Sequence, residues 1–263
     1  MNWMKKVAVA LVCLLPLGLQ AAKVDTLQVK SPSMNKSIEV VVVSPDMAAT
    51  EACPVIYLLH GYGGNARTWV GIKPDLPKIA DEKGIFFVCP DGKNTWYWDS
   101  PLNADVRYET FISDELVKYV DSHYKTVADR KGRAITGLSM GGHGAMWNGL
   151  RHSDVFSAAG STSGGVDIRP FPKNWEMSVQ IGEKAKYPEN WEKYTVINLV
   201  PTLRKDQIAL IFDCGDSDFF LEVNKNYHEA LLKQGIDHDF ITRPGNHDSQ
   251  YLSLIHISEP TRP

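Results

Sequence analysis

Short apolar runs rich in β-branched residues alternate along this chain with segments of helical periodicity. Runs of this kind predict strands at 37–44, 54–59, 85–89, 133–136, 155–159, 208–214 and 238–242. Helices are predicted where apolar residues recur three or four positions apart, at 107–124, 140–150 and 219–234. This alternation is typical of a mostly parallel sheet covered by helices on both faces, so the predicted fold class is α/β.

Composition limits the kinds of function open to the chain. Its 263 residues, 43% of them hydrophobic, suffice for the core of a single domain. The 28 Lys and Arg residues are outnumbered by 31 Asp and Glu residues, which excludes the basic surface that nucleic-acid binding by phosphate neutralisation requires. After the first 20 residues no apolar run reaches the length of about eighteen that a spanning helix needs.

The two ends of the sequence differ from the rest. Residues 1–22 combine Lys5 and Lys6, an apolar stretch and the small residues Ala21 and Ala22. This pattern predicts a signal peptide and therefore export to the periplasm or the medium. Residues 252–263 contain two prolines without helical periodicity and resemble translated adapter sequence more than part of a domain. The folded domain is accordingly predicted over 23–251.

The sequence also predicts an insertion and the role of three cysteines. The segment 164–201 is rich in Pro, Trp and Lys and lacks a clean period, so we expect an insertion above the sheet. Cys53, Cys89 and Cys214 remain after the predicted signal peptide and lie in or beside apolar runs. With no CxxC or clustered Cys/His spacing, they are predicted to be buried structural cysteines and not metal ligands.

A candidate nucleophile lies between a predicted strand and a predicted helix. The sequence from Gly137 to Gly141, GLSMG, matches the G-x-S-x-G turn that exposes a serine hydroxyl at the end of a strand. The alternative is an ordinary glycine-rich turn, but the apolar run before it and the small residues after it favour Ser139 as a nucleophile. The backbone N–H of Met140 would then help to bind the oxyanion that forms during attack.

A second glycine-rich loop, HGYGG, follows the strand predicted at 54–59. In folds with this kind of serine turn, the loop after an earlier strand supplies the other oxyanion donor, here the backbone N–H of Tyr62. The alternative is a tight turn without a catalytic role. His60, at the start of the loop, is predicted to be structural.

The base and the acid are expected after later strands. His247 lies in a Gly/Asn loop after the strand at 238–242, whereas the other histidines of the predicted domain outside the HGYGG loop fall on predicted helices or at strand ends. Asp216 and Asp218 both follow the strand at 208–214 and both remain candidates for the acid. The apolar residues directly after Asp218 favour it, because they would remove water from an orienting carboxylate. The order Ser, Asp, His is that of α/β-hydrolases.

Aromatic residues follow the strand predicted at 85–89. Trp96 and Trp98 stand at a carboxyl end of the sheet, where they could stack on a phenolic acyl group or a sugar ring. The alternative is a structural loop packed under the helix at 107–124. We expect Trp96 and Trp98 to bind substrate.

Several of these motifs together carry a resemblance. In chain order they read LLHGYGGN, PDGKNTWYWDSP, YETFISDEL, GLSMGGHGA, DCGDSDFFLEVN and RPGNHDSQY. The sequence resembles the esterase D-type family of esterases, which includes feruloyl esterases, S-formylglutathione hydrolases and mycolyl transferases. It is most similar to exported bacterial feruloyl and acetyl-xylan esterases.

The resemblance implies an α/β-hydrolase fold and a serine esterase without metal or organic cofactor. It implies Ser139 as nucleophile, Asp218 as acid, His247 as base and the N–H groups of Tyr62 and Met140 as oxyanion donors. The implied substrate is a small-molecule or polysaccharide ester. The alternatives are an acyltransferase of the mycolyl type, a thioesterase like S-formylglutathione hydrolase, and a non-catalytic carbohydrate-binding protein on the same fold.

Overall fold

A computed structural model describes residues 22–253 of the chain. Among them an eight-stranded sheet has the order β1-β2-β4-β3-β5-β6-β7-β8. The strands are β1 Lys23–Ser31, β2 Lys36–Ser44, β3 Val55–Leu59, β4 Phe86–Pro90, β5 Arg133–Gly137, β6 Ala158–Thr162, β7 Ala209–Gly215 and β8 Asp239–Arg243. β1 and β2 form a hairpin, β2 pairs antiparallel with β4, and all other neighbours are parallel.

Helices cover the sheet. In the described part of the chain they are α1 Thr68–Ile72, α2 Leu76–Lys83, α3 Tyr108–Thr110, α4 Leu116–His123, α5 Met140–Arg151, α6 Met177–Ile181, α7 Pro188–Lys193, α8 Leu221–Gln234 and α9 Ser249–Leu252. A π-helical turn at Phe111–Glu115 joins α3 to α4, and 3₁₀ turns lie at Asp46–Ala49, Arg130–Gly132 and Val196–Thr202. α8 ends at Gly235, whose φ of 72° is the left-handed conformation that terminates helices.

Apolar side chains pack on both faces of the sheet. Alternate residues of β2 point in opposite directions, so Val40 and Val42 join one cluster and Val41 and Val43 the other. The larger cluster includes residues of α4, α5 and α8, and the smaller includes residues of α1, α2 and α9. All five residues of β3, β4 and β5 are buried, as expected for central strands with covered faces. The fold is the predicted α/β class.

Helix α5 passes unusually close to the sheet. Every residue from Met140 to Leu150 is buried, and several of them are glycines. A Cβ atom added to Gly149 would lie 2.6 Å from the Cβ of Ala159 in β6, a distance that real side chains do not adopt. The small residues therefore let α5, and the turn that precedes it, rest directly on the strands.

Some boundaries differ from the sequence-based predictions. β6 begins at Ala158, three residues later than expected, and β1, α1 and α2 were not predicted at all. β1 is an edge strand of the sheet and mostly alternates between exposed and covered positions, and α1 has only five residues. Neither produces a strong apolar pattern. The 164–201 insertion contains α6, α7 and a 3₁₀ turn.

The remaining expectations have mixed outcomes. Cys53, Cys89 and Cys214 are free and buried, as predicted. The predicted signal peptide lies outside the described residues except for Ala22, and most of the predicted tail lies outside them as well. Leu252, the first residue of that tail, ends α9 and is buried. No helix between residues 22 and 253 has the length and apolar character needed to cross a membrane.

Candidate active site

Ser139 occupies a strained turn between β5 and α5. Its φ is 55° and its ψ is −117°, a conformation that costs an L-residue on the order of 1–3 kcal/mol. A Cβ on Gly137 would lie 2.4 Å from the backbone of Gly141, and one on Gly141 would lie 2.2 Å from the carbonyl oxygen of Leu59. Both flanking positions therefore require glycine, and the turn presents Ser139 at the carboxyl edge of the sheet.

A hydrogen-bond chain runs from this serine into the protein. The Oγ atom of Ser139 lies 2.8 Å from Nε2 of His247, and Nδ1 of His247 lies 2.8 Å from Oδ2 of Asp218. The three residues follow β5, β8 and β7, whose carboxyl ends meet at one edge of the sheet. The side chain of Asp218 is 0% exposed and that of His247 is 15% exposed. The structure thus brings together three residues that are far apart in sequence.

The structure also distinguishes the two candidate acids. Oδ1 of Asp218 accepts a hydrogen bond of 2.8 Å from the backbone N–H of Phe220, which fixes the carboxylate towards His247. Asp216 is exposed, and its Oδ1 accepts from the Ser217 hydroxyl at 3.0 Å and from the Gly245 N–H at 3.3 Å. Asp216 therefore holds the histidine loop from outside, and Asp218 is the carboxylate that contacts His247.

The predicted oxyanion donors flank the serine. Within the described chain, the backbone N–H groups of Tyr62 and Met140 donate to no protein acceptor. A Cβ on Gly61 would lie 3.4 Å from the Cβ of Ser139, so the loop that carries Tyr62 passes directly beside the serine. The next N–H in this loop, that of Gly63, donates to Oδ1 of Asn94 at 2.9 Å. Sequence reasoning did not identify Asn94, because only the fold brings its loop beside the first one.

His60 stabilises this loop through hydrogen bonds of its ring nitrogens. Its ring is fully buried, its Nε2 accepts from the Gly92 N–H at 2.9 Å, and its Nδ1 lies 2.7 Å from the carbonyl oxygen of Gly61. Since Nε2 is an acceptor, Nδ1 carries the proton and donates it to that oxygen. His60 is therefore structural, as predicted.

The structure contradicts the expectation that Trp96 and Trp98 contact substrate. Trp96 is 1% and Trp98 0% exposed, and their rings stack on each other at 5.6 Å. Positive φ angles at Trp96 and Tyr97 turn the loop back into the core. Trp98 Nε1 donates to Nε2 of His143 in α5 at 2.8 Å, and Trp96 Nε1 donates to the carbonyl oxygen of Trp175 at 3.2 Å. These rings therefore have a structural role, but they pack against α5 and not, as the structural alternative had it, under the helix at 107–124.

Two other aromatic side chains lie near His247 and were missed. Phe219 is 50% exposed, and its ring centroid lies 4.3 Å from that of His247. Trp175, from the insertion, stacks on Phe219 at 5.4 Å. The Trp content of the insertion was the only signal in the sequence, and it does not indicate which tryptophan reaches the site.

The insertion also contacts the loop of Tyr62. Glu176 accepts from Nδ2 of Asn94 at 3.1 Å. Partial burial and a hydrogen bond with Glu176 raise the pKa of the Tyr62 phenol. The exposed carboxylate of Glu176 therefore links the insertion to the loop of Asn94 and to the loop of Tyr62.

No group of three or more His, Cys, Asp or Glu side chains between residues 22 and 253 is placed to hold a metal ion. The site consists of a serine on a strained strand-to-helix turn, joined to a histidine and a buried carboxylate at the carboxyl edge of a mostly parallel sheet. These features define the α/β-hydrolase class.

Comparison with known proteins narrows this class. The family model described as "Putative esterase" matches residues 31–253, and the chain belongs to this family. It is 26% identical over 217 residues to an acetyl esterase of Caldicellulosiruptor saccharolyticus, with 76% of this chain and 79% of that protein covered. It is 22% identical over 243 residues to S-formylglutathione hydrolase of Mus musculus, with 83% and 84% covered. A solved structure of a ferulic acid esterase is 29% identical, with a TM-score of 0.75 over 89% of this chain and 94% of that chain. The chain is accordingly a carboxylic ester hydrolase.

Proposed function

We propose that this chain is an exported serine esterase that acts through an acyl-enzyme on Ser139. The observation that carries the proposal is the unbroken hydrogen-bond chain from Ser139 through His247 to Asp218. A serine hydroxyl is a weak nucleophile unless an adjacent base accepts its proton. The Asp218 carboxylate accepts a hydrogen bond from the Nδ1–H group of His247, so the Nε2 lone pair faces the serine.

Acylation follows from this arrangement. As Oγ of Ser139 attacks the ester carbonyl carbon, its proton passes to Nε2 of His247, and the carbonyl oxygen becomes an oxyanion. The N–H groups of Tyr62 and Met140 would bind that oxyanion. One such donor lowers the barrier by roughly 3–4 kcal/mol. The buried Asp218 stabilises the imidazolium formed in this step.

Collapse of the tetrahedral intermediate completes the first half-reaction. The carbon–oxygen bond to the alcohol breaks, His247 gives its proton to the leaving oxygen, and the acyl group stays on Ser139. Water then attacks the acyl-enzyme while His247 takes the water proton. The second collapse returns that proton to Ser139 and releases the carboxylic acid.

For the substrate, we propose feruloyl or acetyl esters on plant cell-wall polysaccharide. The support is the likeness to an acetyl esterase and to a ferulic acid esterase. The leader-like pattern of residues 1–22 supports export, which a polymeric substrate outside the cell requires.

Covalent labelling tests the mechanism. A fluorophosphonate should add to the wild-type chain at one equivalent and should not add to Ser139→Ala, because that hydroxyl is the proposed attachment point. Ser217→Ala is the matched control, since Ser217 lies in the acid loop without contacting His247, and it should label like wild type. Equal labelling of Ser139→Ala would refute the assignment.

A substrate panel tests the specificity. We expect turnover of methyl ferulate or acetylated xylan to exceed that of S-formylglutathione. Preference for the thioester would favour the S-formylglutathione hydrolase activity named for one relative. Acyl transfer to a sugar in excess of hydrolysis would indicate an acyltransferase, and inertness towards all esters would indicate a binding protein.

A further inference from the structure

Two aromatic rings form a ledge beside the imidazole of His247. Phe219 is 50% exposed, whereas the adjacent Phe220 is 1% exposed. The Phe219 ring is tilted 35° to the His247 ring at 4.3 Å, and Trp175 lies nearly parallel to Phe219, at 23°. We call Phe219 and Trp175 the aromatic ledge. Phe219 therefore presents apolar surface directly beside the proposed catalytic histidine.

The backbone of the insertion is strained at Trp175, one of the two residues of the aromatic ledge. Trp175 and Glu176 have φ angles of 48° and 54°, and two consecutive left-handed residues other than glycine cost roughly 1–2 kcal/mol each. The hydrogen bond from Trp96 Nε1 to the Trp175 carbonyl oxygen holds this conformation. Strain of this kind persists where the surroundings impose it, often at ligand-binding segments.

The chemistry assigns a role to this ledge. In the proposed function, on which this inference rests, Nε2 of His247 protonates the leaving oxygen. That oxygen must then lie within about 3 Å of Nε2. In the proposed mechanism the carbonyl oxygen is bound instead by the N–H groups of Tyr62 and Met140. The substituent on the leaving oxygen therefore extends from the imidazole across the rings that border it, which are those of the aromatic ledge.

The polar group beside the ledge indicates which alcohol fits. Glu176 follows Trp175 directly and is exposed, and its carboxylate already accepts from Asn94 at 3.1 Å. A carboxylate next to aromatic faces suits a ring that has an apolar C–H face and hydroxyl groups at its edge. We propose that Phe219 and Trp175 form the subsite for the leaving alcohol, that this alcohol is a sugar ring, and that Glu176 accepts its hydroxyl groups.

The test compares two esters that share one acyl group. For Phe219→Ala and Trp175→Ala, kcat/KM is measured on an acetylated methyl xyloside and on methyl acetate. Loss of the stacking face should lower kcat/KM on the xyloside about tenfold further than on methyl acetate. Phe219→Tyr should restore the wild-type ratio because it keeps the ring. Val179→Ala, at a 65% exposed apolar position in α6 of the same insertion, should leave the ratio unchanged.

Deacylation separates a subsite from a merely structural role. Both half-reactions use His247, but the alcohol has left before the second one begins. The deacylation rate of the common acetyl-enzyme, measured after the burst with p-nitrophenyl acetate, should therefore fall much less in Phe219→Ala than acylation by the xyloside. Equal losses on both esters and in deacylation would overturn the inference, because they would mean that Phe219 only positions His247. Phosphonate labelling of Ser139 tests the proposed function separately, since the label carries no sugar.

Discussion

Replacing Asp218 by asparagine should abolish most turnover because it forces the wrong tautomer on His247. The Asp218 carboxylate accepts two hydrogen bonds, from the Phe220 N–H at 2.8 Å and from Nδ1 of His247 at 2.8 Å. In an asparagine the amide oxygen must accept the hydrogen bond from the Phe220 N–H, so the NH₂ group faces Nδ1. Two donors cannot pair, and the imidazole responds by moving its proton to Nε2. Nε2 then donates to Ser139 and can no longer accept the serine proton.

The size of the loss follows from the burial of this carboxylate. With the Asp218 side chain 0% exposed, water cannot take over its role. The opposite amide orientation keeps the productive tautomer but opposes NH₂ to the Phe220 N–H. That leaves a buried donor unpaired at about 1–3 kcal/mol, and the negative charge that stabilises the imidazolium is still missing. The same exchange lowers kcat about 10⁴-fold in a serine protease. We expect a loss on the order of 10³ or more here, or about 4 kcal/mol in the barrier.

Asp216→Asn is the matched control, two residues away. Asp216 is exposed and does not contact His247, and an asparagine keeps an oxygen for the Gly245 N–H. We expect a loss below about tenfold. The assay is kcat of both variants on one chromogenic ester at equal concentrations of purified protein, accompanied by thermal unfolding to show that both are folded. The reverse ranking, or an Asp218→Asn variant within tenfold of wild type, would refute the tautomer argument.

Two further predictions concern the support of the site. Gly141→Ala should destabilise the fold by about 1–3 kcal/mol and displace the serine turn, because its Cβ would lie 2.2 Å from the Leu59 carbonyl oxygen. Gly71→Ala in α1 is the control. A Cβ there has no atom within 4 Å, so this variant should be neutral or slightly stabilising. Denaturant unfolding of both variants decides this, and equal midpoints would contradict it. Burial lowers the pKa of His143 to about 4, partly offset by its hydrogen bond to Gly165. Between pH 6.5 and pH 4 the unfolded chain therefore binds a proton that the folded chain does not. The contribution of neutral His143 to the free energy of unfolding should be fully present above about pH 6.5. It should fall by roughly 3 kcal/mol as the pH drops to about 4. His143→Gln, which cannot titrate, should show a shallower dependence of the urea midpoint on pH in this window, and an unchanged slope would count against the assignment.

The amino-acid sequence by itself determined the α/β class and the order of the chemical residues. Both depend on local patterns: the apolar runs of the central strands, and the glycines around Ser139 without which the turn would collide with β3. His247 could be selected because only its position combined a Gly/Asn loop with a preceding strand. Weakly patterned elements such as β1 were missed because a strand at the edge of a sheet does not require a continuous apolar run.

Only the tertiary structure decided which loop side chains face the site. Asp216 and Asp218 are two residues apart, yet one is exposed and the other buried, because the turn after β7 directs them differently. Trp96 and Trp98 are in the core because positive φ angles at Trp96 and Tyr97 reverse the chain. The contact of Phe219 with Trp175 joins segments that no local pattern relates. Periodicity specifies where strands and helices occur, whereas the direction of a loop side chain depends on individual backbone angles and on distant segments that pack against it.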